Sequence, residues 1–459
     1  MDASFRSEVT SDSGTRISLK TPVTYADRQP TEADVVVIGG GVIGVSTALF
    51  LARKGQRVVL LEKGRIAGEQ SSRNWGWIRQ QGRDPDELPL MKEANRLWRS
   101  LAAETNVDIG LTQGGVTYLA EDEAALDRYA AWLPFAQDLE IDTRLLSAQE
   151  TEALIPGMSK SYAGALYTAS DMRAEPWLAV PALAGIAVRE GAQIIENCAV
   201  RCLDISGGRI SGVITEQGRI RASEVVLAGG AWCALFLANH GVHLPQLSVR
   251  ATVAATTALP VVFPGGAADR KIAFRARCDG GYTLAAGGFH ELLVGPAALR
   301  ALPKFLTQLR AEPFGTRFLP FAPKGYPDAW LTQRRWDGDM PSPFEAQRVL
   351  DPKPNARKVD ALQQGFARLF PDLPSFRIAD AWAGMIDTMP DLVPVVDRIA
   401  QVPGLTVGTG MSGHGFGIGP AMGRVLAALV LGEETGHNLH RFRFERFRDG
   451  SEMQLGPAL

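Results

Sequence analysis

Three glycines, Gly39, Gly41 and Gly44, stand in the spacing G-x-G-x-x-G, and a carboxylate, Glu62, follows at the end of the next apolar run. In such a turn the first glycine allows a tight bend, the second lets backbone amides approach a pyrophosphate, and the third lets a helix pack closely on a strand. The helix start then faces the phosphate charge. Glu62 is spaced to accept hydrogen bonds from an adenosine ribose, and its charge disfavours a 2′-phosphate. The chemistry is dinucleotide binding, with a ligand-free glycine-rich turn as the plainer alternative. The turn alone does not separate a flavin from a nicotinamide dinucleotide.

The elements around the turn support that reading. Residues 34–38 form an apolar β-branched run, residues 42–54 carry apolar residues at helical spacing, and Gly55 ends the helix before a second buried run over 57–62. This is a βαβ unit of roughly thirty residues. Residues 87–101 and 124–139 read as helices, and 115–120 and 164–168 as strands. A helix over 176–188 precedes a strand-rich stretch over 192–228. Residues 246–350 read as strands and loops rich in Pro, Gly and Arg. Residues 400–432 give a strand, a glycine turn and a strongly apolar helix.

The expected fold is α/β (α+β overall), a discontinuous Rossmann-like domain with an inserted mixed-sheet substrate domain. The expected boundaries are an arm over 1–32, a nucleotide domain over 33–105, 170–245 and 360–435, and a substrate domain over 106–169 and 246–359.

Composition narrows the function class. The 459 residues carry a formal net charge of -2, which removes the electrostatic case for a nucleic-acid binder. The four cysteines form no CxxC pair and no disulfide framework, as suits a reducing compartment. The pairs His240/His243 and His437/His440 lack neighbouring cysteines or carboxylates of zinc type, so no metal is expected. No run approaches the roughly 20 apolar residues that span a bilayer, and the first thirty are polar, so a cytoplasmic protein is expected.

Three more segments carry a resemblance. They are Ser71-Ser72-Arg73-Asn74-Trp75-Gly76-Trp77-Ile78-Arg79, then Val225-Val226-Leu227-Ala228-Gly229-Gly230-Ala231-Trp232, then Gly410-Met411-Ser412-Gly413-His414-Gly415-Phe416-Gly417 after Thr388-Met389-Pro390-Asp391. With the βαβ unit they resemble, in order, the FAD-dependent D-amino acid oxidase/dehydrogenase family that includes glycine and sarcosine oxidases. The resemblance implies FAD, held by Gly39, Gly41, Val42, Ile43, Gly44, Glu62 and Lys63, by Ser71, Ser72, Asn74, Trp75 and Gly76, and by Val200, Ala228, Gly229 and Trp232. It adds Met411, Gly413, His414, Gly415, Phe416 and Gly417. Glycines at 410, 413, 415 and 417 would turn backbone amides toward the isoalloxazine, with the next helix start stabilising charge on the reduced ring. Some members attach flavin to a cysteine. Nothing around Cys278 matches that motif well, so noncovalent FAD is expected.

The resemblance further implies oxidation of a C–N bond by hydride transfer to flavin, with hydrolysis of the imine. Carboxylate-bearing substrates suit an arginine fork. Arg79 is the first candidate, because the corresponding family loop places a basic residue near the flavin, with a structural ion pair to Asp84 or Glu87 as the alternative. Arg275, Arg277 and Tyr282 are others. If Asp279-Gly280 is a two-residue hairpin turn, Arg277 stands opposite Tyr282 and Arg275 shares their face. The alternative there is an exposed cationic edge. His414 is a candidate donor to flavin or substrate, or a structural loop histidine.

Trp75 and Trp77 replace smaller residues of glycine and sarcosine oxidases, which favours a bulkier D-amino acid, a cyclic or secondary amino acid, or an amine. Oxidation of a 2-hydroxy acid and a flavin subunit of a heteromeric dehydrogenase are the alternatives. Oxygen or a quinone would accept the electrons, and a peripheral membrane or partner-subunit contact stays open.

Overall fold

The computed structural model describes residues 16–288, 290–311 and 315–456. The β-branched run Val35–Ile38 pairs in parallel with Val58–Leu61 on one side and Glu224–Leu227 on the other. Buried on both faces, these strands have apolar residues in succession instead of alternation. They are the centre of a six-stranded sheet ordered Val395–Arg398, Leu405–Thr409, Glu224–Leu227, Val35–Ile38, Val58–Leu61, Gln193–Ile195. Helices Val42–Arg53, Leu88–Glu104, Pro176–Arg189 and Gly415–Leu431 pack together over this sheet.

A mixed ten-stranded sheet forms the second body. Its order is Thr316–Leu319, His290–Leu293, Leu247–Thr256, Tyr282–Ala286, Ile272–Ala276, Gly266–Ala268, Val116–Ala120, Gly164–Thr168, Thr143–Ser147, with Ile378–Thr388 also paired to Leu247–Thr256. A small antiparallel sheet of Val200–Ser206, Arg209–Thr215 and Gly218–Arg221 stands apart.

Two expectations change. Residues 360–388 do not belong to the nucleotide sheet. Helix Ala356–Leu369 buries Leu362, Phe366 and Leu369 against Phe274 and Tyr282 of the large sheet, and Ile378–Thr388 is one of that sheet's strands. The chain returns to the nucleotide sheet only at Val395. The stretch read as strands and loops also contains a 16-residue helix, Pro296–Ala311, which buries Ala298, Ala301 and Phe305. Asp328 accepts from the amides of Ala297 and Ala298 at its start, a cap supplied from 30 residues downstream.

Within the expected arm, residues 1–15 lie outside the described residues. The rest runs along the nucleotide sheet's edge, where Ala26 bridges Ile195 and Glu196 accepts the amides of Thr24 and Tyr25 at 2.6 and 3.1 Å. It thereby covers an otherwise open edge strand. Among the described residues no helix is long and apolar enough to cross a membrane.

Candidate cofactor and substrate site

A cavity of about 1050 Å³ lies between the two sheets, and the glycine turn forms part of its wall. Gly39 has φ +111°, and a Cβ there would lie 2.5 Å from the Ala228 carbonyl oxygen. A Cβ on Gly44 would lie 1.9 Å from the Gly39 oxygen, so that glycine lets helix meet strand. Gly41 is different. Its Cβ would meet only the Ser71 hydroxyl, at 3.2 Å, and its backbone opens on the cavity.

Helix Val42–Arg53 begins here without a side-chain cap. The Val42 amide donates to Ser71 Oγ at 2.9 Å, which leaves the Ser71 hydroxyl proton to donate into the cavity. Glu62 accepts from the Gly40 and Gly64 amides, both at 2.7 Å, and burial pushes its pKa up to about 7. Each carboxylate oxygen keeps a lone pair for a ribose hydroxyl. Lys63 is locked in the wall. It donates to Glu69 at 2.6 Å and to the carbonyls of Gln347 and Arg348, and lies 4.4 Å from the Trp232 ring centroid. Trp232 Nε1 donates to the same Glu69, a residue the sequence reading did not single out. Val200, Ala228 and Gly229 line the same cavity. An open glycine backbone, a helix start whose N-cap glycine supplies no side chain and a two-oxygen carboxylate together fit the adenosine diphosphate part of FAD.

The loop after the second strand divides by role. Ser71, Asn74, Trp75, Trp77 and Arg79 line the cavity. Ser72 turns away and accepts the Ile17 amide of the arm. Asn74 shapes the loop, accepting the Gly76 amide at 2.7 Å and donating to the Ser71 carbonyl. Gly76 has φ +76°, and its Cβ would be 2.3 Å from the Ala174 oxygen, so it serves the loop's path and not the cavity surface. The two indoles meet edge to face at 5.3 Å, and Trp77 lies 6.4 Å from Tyr118. Space for Trp77 comes from Gly266, whose Cβ would sit 2.5 Å from Trp77 Nε1.

Arg79 stacks on Tyr118 with its guanidinium carbon 4.9 Å from the ring centroid. It is buried, has no ion pair among the described residues, and its Nη1 has no hydrogen-bond partner. Burial and the neighbouring Arg83 lower its pKa well below the ordinary value. A buried, unpaired guanidinium facing a cavity has the charge and free donors to take an anion.

The C-terminal turn brings Met411, Gly413, His414, Gly415, Phe416 and Gly417 to the cavity, where helix Gly415–Leu431 begins with no side-chain cap. Its first amides and positive dipole end are thus available to negative charge. Gly410 departs from expectation. Its amide donates to Asp387 at 2.7 Å and its Cβ would strike Met389, so it points into the protein. Gly417 serves packing, its Cβ lying 3.3 Å from the Trp77 oxygen and 3.4 Å from the Arg79 nitrogen. His414 Nδ1 is 3.2 Å from Glu87 Oε2. Burial, then the charges of Arg83 and Arg79, hold His414 well below its ordinary pKa, which favours the neutral imidazole.

Arg275, Arg277 and Tyr282 do not line the cavity, and the expected catalytic face is corrected. Ala276, not Arg277, stands opposite Tyr282. The Arg277 amide donates to Gly281, giving a three-residue loop over 278–280 with Gly280 at φ +85°. Arg277 pairs with Asp279, and the Tyr282 hydroxyl accepts the Val262 amide at 2.7 Å. Arg275 forks onto Glu175 at 2.9 and 2.6 Å and donates to the Trp75 carbonyl, behind the loop.

Sequence reasoning missed Tyr118, Tyr129 and Arg83, which line the cavity, and offered Glu87 only as an ion-pair partner for Arg79. Tyr118 had a usable signal as a half-buried aromatic in strand Val116–Ala120. Arg83 and Glu87 had only their spacing from Arg79, in a segment without regular structure.

A mostly parallel sheet, a glycine cradle and a cavity shared with a second sheet define a dinucleotide-binding, two-sheet scaffold. The FAD dependent oxidoreductase family matches residues 34–429, and the chain belongs to it. Among solved structures, the L-amino acid deaminase from Proteus myxofaciens in complex with anthranilate is similar, with TM-score 0.88 and 31% identity over 93% of this chain and 96% of that one. Glycine oxidase of Geobacillus kaustophilus is 26% identical over 90% of this chain and 97% of that protein. Sarcosine dehydrogenase, mitochondrial, of Homo sapiens is 32% identical over 48% of this chain. The chain spans about a quarter of the length of that curated relative.

Proposed function

We propose that the chain binds FAD noncovalently and oxidises the C–N bond of an α-amino acid with a bulky apolar side chain. The single observation that carries this reading is Arg79, a buried guanidinium without a carboxylate partner among the described residues, set on the cavity beside Trp75, Trp77 and Tyr118. Arg79 would fork onto the substrate carboxylate and the aromatic wall would take the side chain. Bound FAD supplies the two-electron acceptor for the hydride on the α-carbon. The protein's part is to fix that carbon, exclude water, and accept the amine's hydrogen bond at His414. Water then hydrolyses the released imine to a keto acid.

Sequence alone favoured a D-amino acid or a cyclic or secondary one. The likeness to an L-amino acid deaminase supports the L configuration instead. Noncovalent binding is supported by the cavity lining, which includes no cysteine, while Cys278 lies exposed at its hairpin. After acid precipitation the yellow colour is expected in the supernatant.

The test is anaerobic mixing of the purified flavoprotein with L- and D-phenylalanine, L-leucine, proline, sarcosine, glycine and a 2-hydroxy acid, followed by admission of oxygen or a quinone. Bleaching is expected fastest with the bulky L-amino acids. Fastest bleaching by sarcosine, glycine or the hydroxy acid would overturn the reading.

A further inference from the structure

His414 faces the cavity with a ring nitrogen to spare. Its Nδ1 meets Glu87, and its Nε2 makes no protein hydrogen bond among the described residues. Behind it the Glu87 carboxylate is shut off from solvent, and its Oε1 has no partner among the described residues. A buried carboxylate with an unused oxygen, reached from the cavity through one neutral imidazole, is an arrangement for moving a proton.

An amino acid enters as an ammonium, whereas hydride loss from the α-carbon requires the nitrogen lone pair, so one proton must leave first. We infer that Glu87 and His414 form the relay that takes it. As the substrate N–H bond breaks, a bond forms to His414 Nε2, and the Nδ1 proton passes to a Glu87 oxygen. The products are a neutral amine, a neutral imidazole protonated on the other nitrogen, and a neutral carboxyl group. The inference rests on the amino-acid reading above. His414 touches the substrate, and Glu87 acts through it.

The surroundings explain why the proton does not stop on the histidine. Arg79 and Arg83 face His414, and the start of helix Gly415–Leu431 adds positive potential, so an imidazolium is disfavoured. Glu87 is flanked by Arg83, Arg441 and Arg79, with Asp391 and Asp84 as the neighbouring negative charges. Burial dominates and pushes its pKa up to about 7, the strength a base needs near neutral pH.

The test is stopped-flow flavin reduction in the holoenzyme at saturating L-amino acid, across pH, for wild type, Glu87→Gln, Glu87→Asp and His414→Gln. Wild type is expected to show a rate that rises through a limb near pH 7. Glu87→Gln can still accept the Nδ1 hydrogen bond but no proton. Its limb should move up toward the pKa of the substrate's own ammonium, with a loss of about 100-fold at pH 7 that is recovered at high pH. Glu87→Asp should return the limb, and His414→Gln should repeat the displacement through a different residue. An unchanged limb in Glu87→Gln, or in His414→Gln should Glu87→Gln not fold, would overturn the relay. No bleaching of wild type by any amino acid would overturn the amino-acid reading and the relay with it.

Discussion

Glu175 holds Arg275 in a fork of two hydrogen bonds, 2.9 and 2.6 Å, with both side chains closed to solvent, while Arg275 also donates to the carbonyl of Trp75. The pair stands directly behind Gly76, whose Cβ position lies 2.8 Å from an Arg275 nitrogen. A residue first taken for a substrate clamp is thus the buttress of the loop that carries Trp75 and Trp77.

Removing Arg275 leaves the buried Glu175 carboxylate with only the more distant Arg173, 3.8 Å away, as a countercharge. Arg275→Met is expected to destabilise the fold by about 3–5 kcal/mol in urea unfolding. The double variant Arg275→Met/Glu175→Gln should recover most of that loss. An equal loss in both would show that the buried charge is not the cause.

Gly44 and Gly41 should separate fold from cofactor. Gly44→Ala forces a Cβ onto the Gly39 carbonyl at 1.9 Å and should lower both the unfolding midpoint and the flavin content. Gly41→Ala meets only Ser71 Oγ and should keep the apoprotein midpoint while lowering flavin per chain, read from the flavin absorbance band.

Arg79→Lys replaces a stacked, planar fork by a point charge. The KM for amino acids should rise by about 30-fold or more, and Arg79→Met should go further, on the scale of 2–5 kcal/mol for a buried charged contact. Steady-state kinetics with a good substrate checks this. Retained flavin content would confirm that the loss lies in substrate binding.

Glu93 predicts a pH effect away from the cavity. Burial raises its pKa, but hydrogen bonds from His437 and Arg424 outweigh that and hold it at about 2. A depressed carboxylate contributes stability that is present above its unfolded value and lost as pH falls toward the folded one. Glu93→Gln should therefore be less stable than wild type at pH 6, and the gap should narrow from pH 5 to pH 3 in urea titrations. A constant gap would count against this ion pair.

The nucleotide half was legible because its signals are local. Gly39, Gly41 and Gly44 encode a turn over six residues, and the runs Val35–Ile38 and Val58–Leu61 show burial on both faces without any partner being known. Helix Pro296–Ala311 was hidden by its own Pro296 and Pro303, and its cap, Asp328, comes from a distant loop. The Ile378–Thr388 strand gave no hint of which sheet it joins, since a strand's pattern names its faces and not its neighbour.

Residue types and short spacings thus specified a dinucleotide turn and a family order of flavin segments, and that order made Arg79 a candidate. Tertiary structure alone decided that Arg275 supports a loop, that Arg277 is off the Tyr282 register, that Gly410 points inward, and that Glu87 meets His414 across 327 positions. Backbone turns are governed by the dihedral limits of a few adjacent residues. Register, ion-pair partners and the far side of a cavity are set by elements that meet only once the chain has packed.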